Sequence, residues 1–256
     1  MRAFFAFFKK ELLESARNGK LLLVGILFFA FGIMNPAVAK LTPWLLELMG
    51  EELAESGMAV TAVTVDALTS WTQFFKNIPM ALIAFVFMYG GIFTKEYESG
   101  TLVLMLSKGL ARHKVLLAKL ALLFSLWTLG YFLCFGVTYA YNTYFWDNSI
   151  AQSLGTAVAS YWLFGIWVLA LAVLFSVLTK SSAGVLLGTG AGAVGAYILT
   201  LFPKVKPYSP ALLMEGTSLI MGAQSAEDYT KAIVAAAITC IIFITASIPI
   251  FNKKEI

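Results

Sequence analysis

The glycines between 184 and 195 are the first residues in this chain whose spacing could do chemistry. Gly190-Ala191-Gly192-Ala193-Val194-Gly195 fits GxGxxG, with Glu215 twenty residues on. In a dinucleotide fold such glycines let the backbone approach a pyrophosphate, and the acid holds a ribose. That chemistry needs a strand before the glycines and an amphipathic helix after them. Here they sit inside one uncharged run, Ser181 to Pro203, and Pro203, Pro207 and Pro210 separate them from Glu215. The simpler pattern is Gly184, Gly188 and Gly192 at a spacing of four on one helical face. That is a small-residue seam where helix backbones approach closely. It does not say whether the neighbour is another span or another subunit.

Other chemistries find little support. The single histidine, His113, sits among Arg112 and Lys114, and there is no HExxH. Cys134 and Cys240 lie in apolar runs without metal-ligand spacing. No GxxxxGK[ST] occurs, so no P-loop cradles ATP in this chain. The uncharged runs hold no Asp, Glu, Lys, Arg or His, which disfavours a coupling ion or proton at the membrane midplane. No cofactor and no metal are expected here, and the chain is not expected to be an enzyme.

The elements that carry these residues follow from composition. The 256 residues are 60% hydrophobic and only 12% charged, about half the charged share of a soluble domain. Uncharged runs cover Leu21–Ala39, Asn77–Thr94, Leu120–Trp146, Asn148–Thr179, Ser181–Pro203 and Ala232–Asn252. A crossing helix needs ~17–25 apolar residues. The expectation is an all-α integral membrane fold of one domain, with six spans near 21–39, 77–94, 120–146, 155–179, 181–203 and 232–252. Net charge is +4, which in loops sets orientation and implies no nucleic acid. With the N-terminus inside, thirteen Lys and Arg fall in inside segments and five outside, so both termini are expected in the cytoplasm.

Residues 1–20 do not read as a signal peptide. Met1, Phe4, Phe5, Phe8, Leu12 and Ala16 share one helical face, with Arg2, Lys9, Lys10, Glu14 and Arg17 mostly opposite. This predicts an amphipathic helix on the inner leaflet. The outer segment from Lys40 to Lys76 is acidic, and its leucines predict a helix running out of the first span. The outer segment from Lys204 to Thr230 predicts short helices or a re-entrant cap.

The inner segment Lys95 to Leu120 reads KEYESGTLVLMLSKGLARHKVLLAKL. Ser99 can cap a helix and Gly109 can end one. The apolar residues between them are too few to cross a bilayer and too many to leave in water, so they predict docking on the leaflet or a partner.

That segment resembles the first cytoplasmic loop of bacterial ATP-binding-cassette (ABC) permeases of the type-2 export family. An acidic stretch is followed by Gly-Thr, a short apolar helix, Ser-Lys, a basic patch and a Lys opening the third span. The layout of the whole chain is similar too. The resemblance implies that Glu96, Glu98, Gly100, Thr101, Leu102, Leu104, Met105, Ser107 and Lys108 couple the chain to a separate ABC ATPase, present in two copies. It implies a second permease chain, the same or homologous, and ATP and Mg bound in the ATPase. It places the chain in a bacterial cell membrane as a multi-pass exporter subunit.

Small relatives of this look move amphipathic peptides or drugs, or ions, or serve enzyme maturation. The peptide and drug exporters look closest. Tyr139, Asn142, Trp162 and Trp167 are candidates for a substrate path that offers aromatic contacts and no fixed ion. The competing class is a membrane scaffold or sensor subunit without transport.

Overall fold

A computed structural model describes residues 2–48, 65–102, 107, 109 and 111–254, and no strand occurs among them. The N-terminal amphipathic pattern forms α1, Arg2–Arg17, which ends at Gly19 with a φ of +69°, a conformation suited to glycine. Then α2, Lys20–Leu48, runs through Pro36 and Pro43. Its 29 residues span about 44 Å, so it continues well past a hydrocarbon layer of about 30 Å. The helix expected to run out of the first span is therefore the same helix. The acidic residues Glu51, Glu52 and Glu55 lie outside the described residues.

The next helix, α3, is Ala67–Tyr89, against an expected span of 77–94. Asp66 starts it early: its Oδ1 accepts from the Thr69 amide at 2.9 Å and from the Thr69 hydroxyl at 3.0 Å. Lys76, read as a boundary, is instead an exposed residue in mid-helix. Five described helical stretches are long and apolar enough to cross a membrane: within α2, in α5, α6 and α7, and at the C-terminus. α3 is not one of them, because Ser70, Gln73, Lys76 and Asn77 dilute its first half. Six crossings are thus more than the helices alone give.

A single-turn helix, α4 (Thr94–Ser99), is closed by Gly100 at a φ of +66°. α5 is Arg112–Phe145 and starts two turns before the expected span at 120, taking Arg112, Lys114 and Lys119 into the helix. α6 is Leu154–Leu178 and α7 is Ser182–Leu199. Then come 3-10 turns at Lys206–Tyr208 and Pro210–Met214, the short α8 (Gly216–Ile220), and α9, Thr230–Lys253. The short helices expected between 204 and 230 are present.

α6 is buried nearly all round, as its uniformly apolar sequence requires, and packs on α5, α7, α9 and the 3-10 turn at 210–214. A cluster of rings fills the centre. Trp127 lies edge-on to Phe28 and Phe85, and its Nε1 donates to the Trp162 carbonyl at 3.1 Å. Asn77 donates to Asn35, Asn35 to Thr138, and Thr138 to the Gly32 carbonyl, at 2.9, 3.1 and 3.0 Å. That chain of amide and hydroxyl groups ties α2, α3 and α5 inside the apolar bundle, where each unmade hydrogen bond would be costly.

The loops sort to two ends. Thr94 meets Ser182, Arg112 meets Phe251, and Lys254 meets Thr179 at one end. Trp71 meets Asn148, and Gln152 meets Ile220, at the other. This is the grouping that the Lys and Arg count predicts.

Candidate functional site

The first end holds a buried ion cluster. Lys119, on the second turn of α5, is 1% exposed. An ammonium has three donors, and three oxygens surround this one. Glu11 Oε2 of α1 lies 2.7 Å away, Glu96 Oε2 of α4 lies 3.1 Å away, and the Ile92 carbonyl accepts at 3.2 Å. The rings of Phe7 and Phe93 stand 5.6 Å from the same nitrogen. Lys10 closes the cluster, reaching Glu11 at 2.9 Å, Glu14 at 2.8 Å and Glu96 at 3.5 Å. Burial alone would lower the Lys10 ammonium, but its hydrogen bonds to Glu11 and Glu14 outweigh that and raise it. The hydrogen bond from Lys10 lowers Glu14. Burial raises Glu96, with Lys119 opposing.

A second cluster lies on the other side of α4. The Lys254 ammonium stands 4.3 Å from the Tyr97 ring centre and donates to the Thr179 carbonyl at 2.6 Å and the Ser176 carbonyl at 3.4 Å. Those carbonyls end α6, where a cation complements the helix dipole. Arg112 does the same for α9, donating from Nη1 to the Phe251 carbonyl at 3.1 Å and the Asn252 carbonyl at 3.2 Å. Burial, helped by nearby Lys180, brings Lys254 down to about 8. Burial raises the Tyr97 hydroxyl, with Glu96 adding to it.

The expected coupling residues fall on and after α4. Glu96 and Glu98 lie on α4, Gly100 caps it, and Thr101 and Leu102 begin a further helical turn. Leu104, Met105 and Lys108 lie outside the described residues; Ser107 is helical and exposed. Two of these residues face inward rather than toward a partner. Glu96 is in the ion cluster, and Leu102 is fully buried in the chain's own core. A short helix packed beneath α1 and α5 must bury one of its faces.

Phe4, Phe7, Phe8 and Leu12 pack against the bundle, while Phe5 is 62% exposed. Glu11 and Ser15 share the inward face, and Ser15 shares a 2.6 Å hydrogen bond with the Tyr89 hydroxyl. Sequence reasoning missed this cluster, although a carboxylate at Glu11, one turn from Phe7 and Ser15 on the packed face, was a usable signal. The chain does carry a buried ionisable residue, Lys119, at the edge of the run read as charge-free.

The glycine seam is internal for two of its three members. A Cβ on Gly188 would lie 2.3 Å from Phe175, and one on Gly192 2.5 Å from Leu171, so both press against α6. A Cβ on Gly184 would meet its own cap residues, Ser181 and Thr179, at 3.1 Å. The opposite face of α7 lines a groove of about 330 Å³ between α3, α6 and α7, walled by Ile83, Val86, Phe164, Val168, Gly190 and Val194 among others. Tyr161 contributes to its wall; that side chain is fully buried and its hydroxyl has no partner among the described residues.

The four aromatic and amide candidates do not form one route. Trp162 and Trp167 take different sides of α6: Trp162 donates to Thr128 on α5 at 3.0 Å, and Trp167 to Thr239 on α9 at 2.9 Å. Tyr139 is half-exposed beside Trp71 and Phe135. Asn142 is buried with neither amide atom partnered among the described residues. Helical phase explains this, since five residues turn a helix by about 140°. None of the four lines the groove.

Residues 5–256 match the family model described as ABC-2 family transporter protein. The chain belongs to the ABC-2 transporter family. It is also similar to an uncharacterized transmembrane protein, YxlG, of Bacillus subtilis (strain 168), with 21% identity over all of this chain and 99% of that protein. ABC-2 proteins of this kind are the multi-pass membrane component of an ABC transporter, and the ATPase resides in separate subunits. The buried ion cluster and the groove are therefore features of an ABC-2 permease.

Proposed function

We propose that this ABC-2 permease exports amphipathic peptides or hydrophobic drugs from a bacterial cell, driven by ATP hydrolysed on two separate ATPase subunits. It works with a second permease chain, both termini lie in the cytoplasm, and ATP and Mg stay in the ATPase. The observation that carries the cargo class is the groove between α3, α6 and α7. Its lining is almost wholly apolar, with Thr189, Tyr161 and Tyr197 the residues that carry a hydroxyl and no charged side chain. Such a wall desolvates an apolar chain at little cost. It gives a small inorganic ion nothing to replace its hydration.

The ATPase contact is assigned to the segment after Gly100, including Leu104, Met105, Ser107 and Lys108. Leu104→Asp is expected to detach the ATPase, since a charge would enter an apolar contact at a cost of several kcal/mol. Transport is tested by ATP hydrolysis of the reconstituted complex with melittin, tetraphenylphosphonium and potassium chloride. Stimulation by the first two, reduced by Gly190→Leu at the groove wall, supports the reading. Stimulation by the salt alone sinks it, and no stimulation with no associated ATPase favours a scaffold.

A further inference from the structure

Glu96 and Tyr97 are neighbours on one helical turn, yet they reach opposite halves of the bundle. Glu96 joins Lys119 of α5 at 3.1 Å and, through it, Glu11 of α1 at 2.7 Å. The Tyr97 ring lies under Lys254, which holds the last carbonyls of α6 and sits at the end of α9. At the start of the same helix, Thr94 shares a 2.6 Å hydrogen bond with Ser182 at the start of α7. One six-residue helix is thus linked to α1, α5, α7 and α9 directly, and to α6 through Lys254. It is bounded by Gly100, whose left-handed backbone makes a sharp corner, and Leu102 beyond the corner is pegged in the core.

The contacts are polar where apolar packing would have held the helix as well. Apolar packing tolerates sliding, whereas withdrawing Glu96 takes one of two carboxylates from the buried Lys119 ammonium and leaves it Glu11 alone. Glu96 cannot move away from α1 and α5 without that penalty, and Tyr97 cannot move without uncovering Lys254. We propose that Glu96 and Tyr97 are paired positioning residues of α4: displacement of the cytoplasmic segment after Gly100 is passed to α1 and α5 through Glu96, and to α6 and α9 through Tyr97. This rests on the reading that an ATPase engages that segment.

The test is the distance between spin labels at Leu13→Cys on α1 and Ile242→Cys on α9, both exposed positions. It is measured in the permease–ATPase complex without nucleotide and after trapping with ATP and vanadate. This readout needs no cargo. The native complex is expected to change its distance on trapping. Glu96→Gln and Tyr97→Leu are each expected to cut that change to less than half, with melting temperature and ATPase copurification retained. Tyr97→Phe, which keeps the ring under Lys254, is expected to restore it.

An undiminished change in both Glu96→Gln and Tyr97→Leu overturns the linkage while leaving the ATPase reading intact. No change in the native complex overturns both. A Glu96→Gln or Tyr97→Leu protein that melts early or loses the ATPase assigns that residue to the fold alone and overturns its half of the proposal.

Discussion

Lys119 Nζ lies 2.7 Å from Glu11 Oε2, joining residues 108 positions apart with side chains 1% and 5% exposed. A buried pair of this kind is costly to break from one side, because the remaining charge keeps its desolvation penalty. Lys119→Met leaves Glu11 and Glu96 facing Lys10 alone. It is expected to destabilise the purified permease by about 3–5 kcal/mol. The double variant Lys119→Met with Glu11→Leu should recover part of that loss. Thermal unfolding followed by tryptophan fluorescence reads both, and equal stability of the single and double variants would show that the pair is not coupled.

Glu96 gives one pH dependence with a defined sign. Burial raises its pKa in the folded protein above the ordinary 4.5. A group with a raised folded pKa contributes stability below its unfolded pKa, and that contribution is lost as pH rises through the folded value. Above that folded value the ionised Glu96 is therefore held less favourably than in the unfolded chain, a cost that Glu96→Gln lacks. The variant is expected to melt no lower than the native protein at pH 7.5, and the native protein should gain on it as pH falls toward 5. A variant that melts lower at pH 7.5 and closes the gap on acidification would reverse the sign.

The two faces of α7 should respond oppositely to an added methyl group. Gly188→Ala puts a Cβ 2.3 Å from Phe175 and is expected to cost about 1–3 kcal/mol. At Gly190 nothing lies within 4 Å, so Gly190→Ala should be neutral or stabilising by up to about 1 kcal/mol through helix propensity. Parallel melting curves decide it, and equal shifts would mean that α7 does not press on α6 along the Gly188 face.

Topology is open to labelling. Cysteines at Ser225 and at Ser107 lie at opposite ends of the bundle, both exposed, while native Cys134 and Cys240 are buried. In intact cells a membrane-impermeant maleimide is expected to label Ser225→Cys and to spare Ser107→Cys until the cells are opened. The reverse pattern would invert the orientation drawn from the Lys and Arg count.

By itself the sequence determined the solvent class and most of the helices. Long uncharged runs must satisfy their backbones internally, so helices at α2, α5, α6, α7 and α9 follow from composition and length. It also determined which loops share an end, because Lys and Arg sort by side.

The start of α3 was a local matter that the charge at Lys76 obscured, since Asp66 caps the helix three residues before Thr69. Tertiary structure decided the partner of the glycine seam, since spacing gives a helical face but never its neighbour. Above all it decided the fate of Glu11, Glu96 and Lys119. Read along the chain, each is a polar residue near a helix end. Only the docking of α1 and α4 against α5 removes them from water, and that distant encounter turns separate charges into one buried cluster.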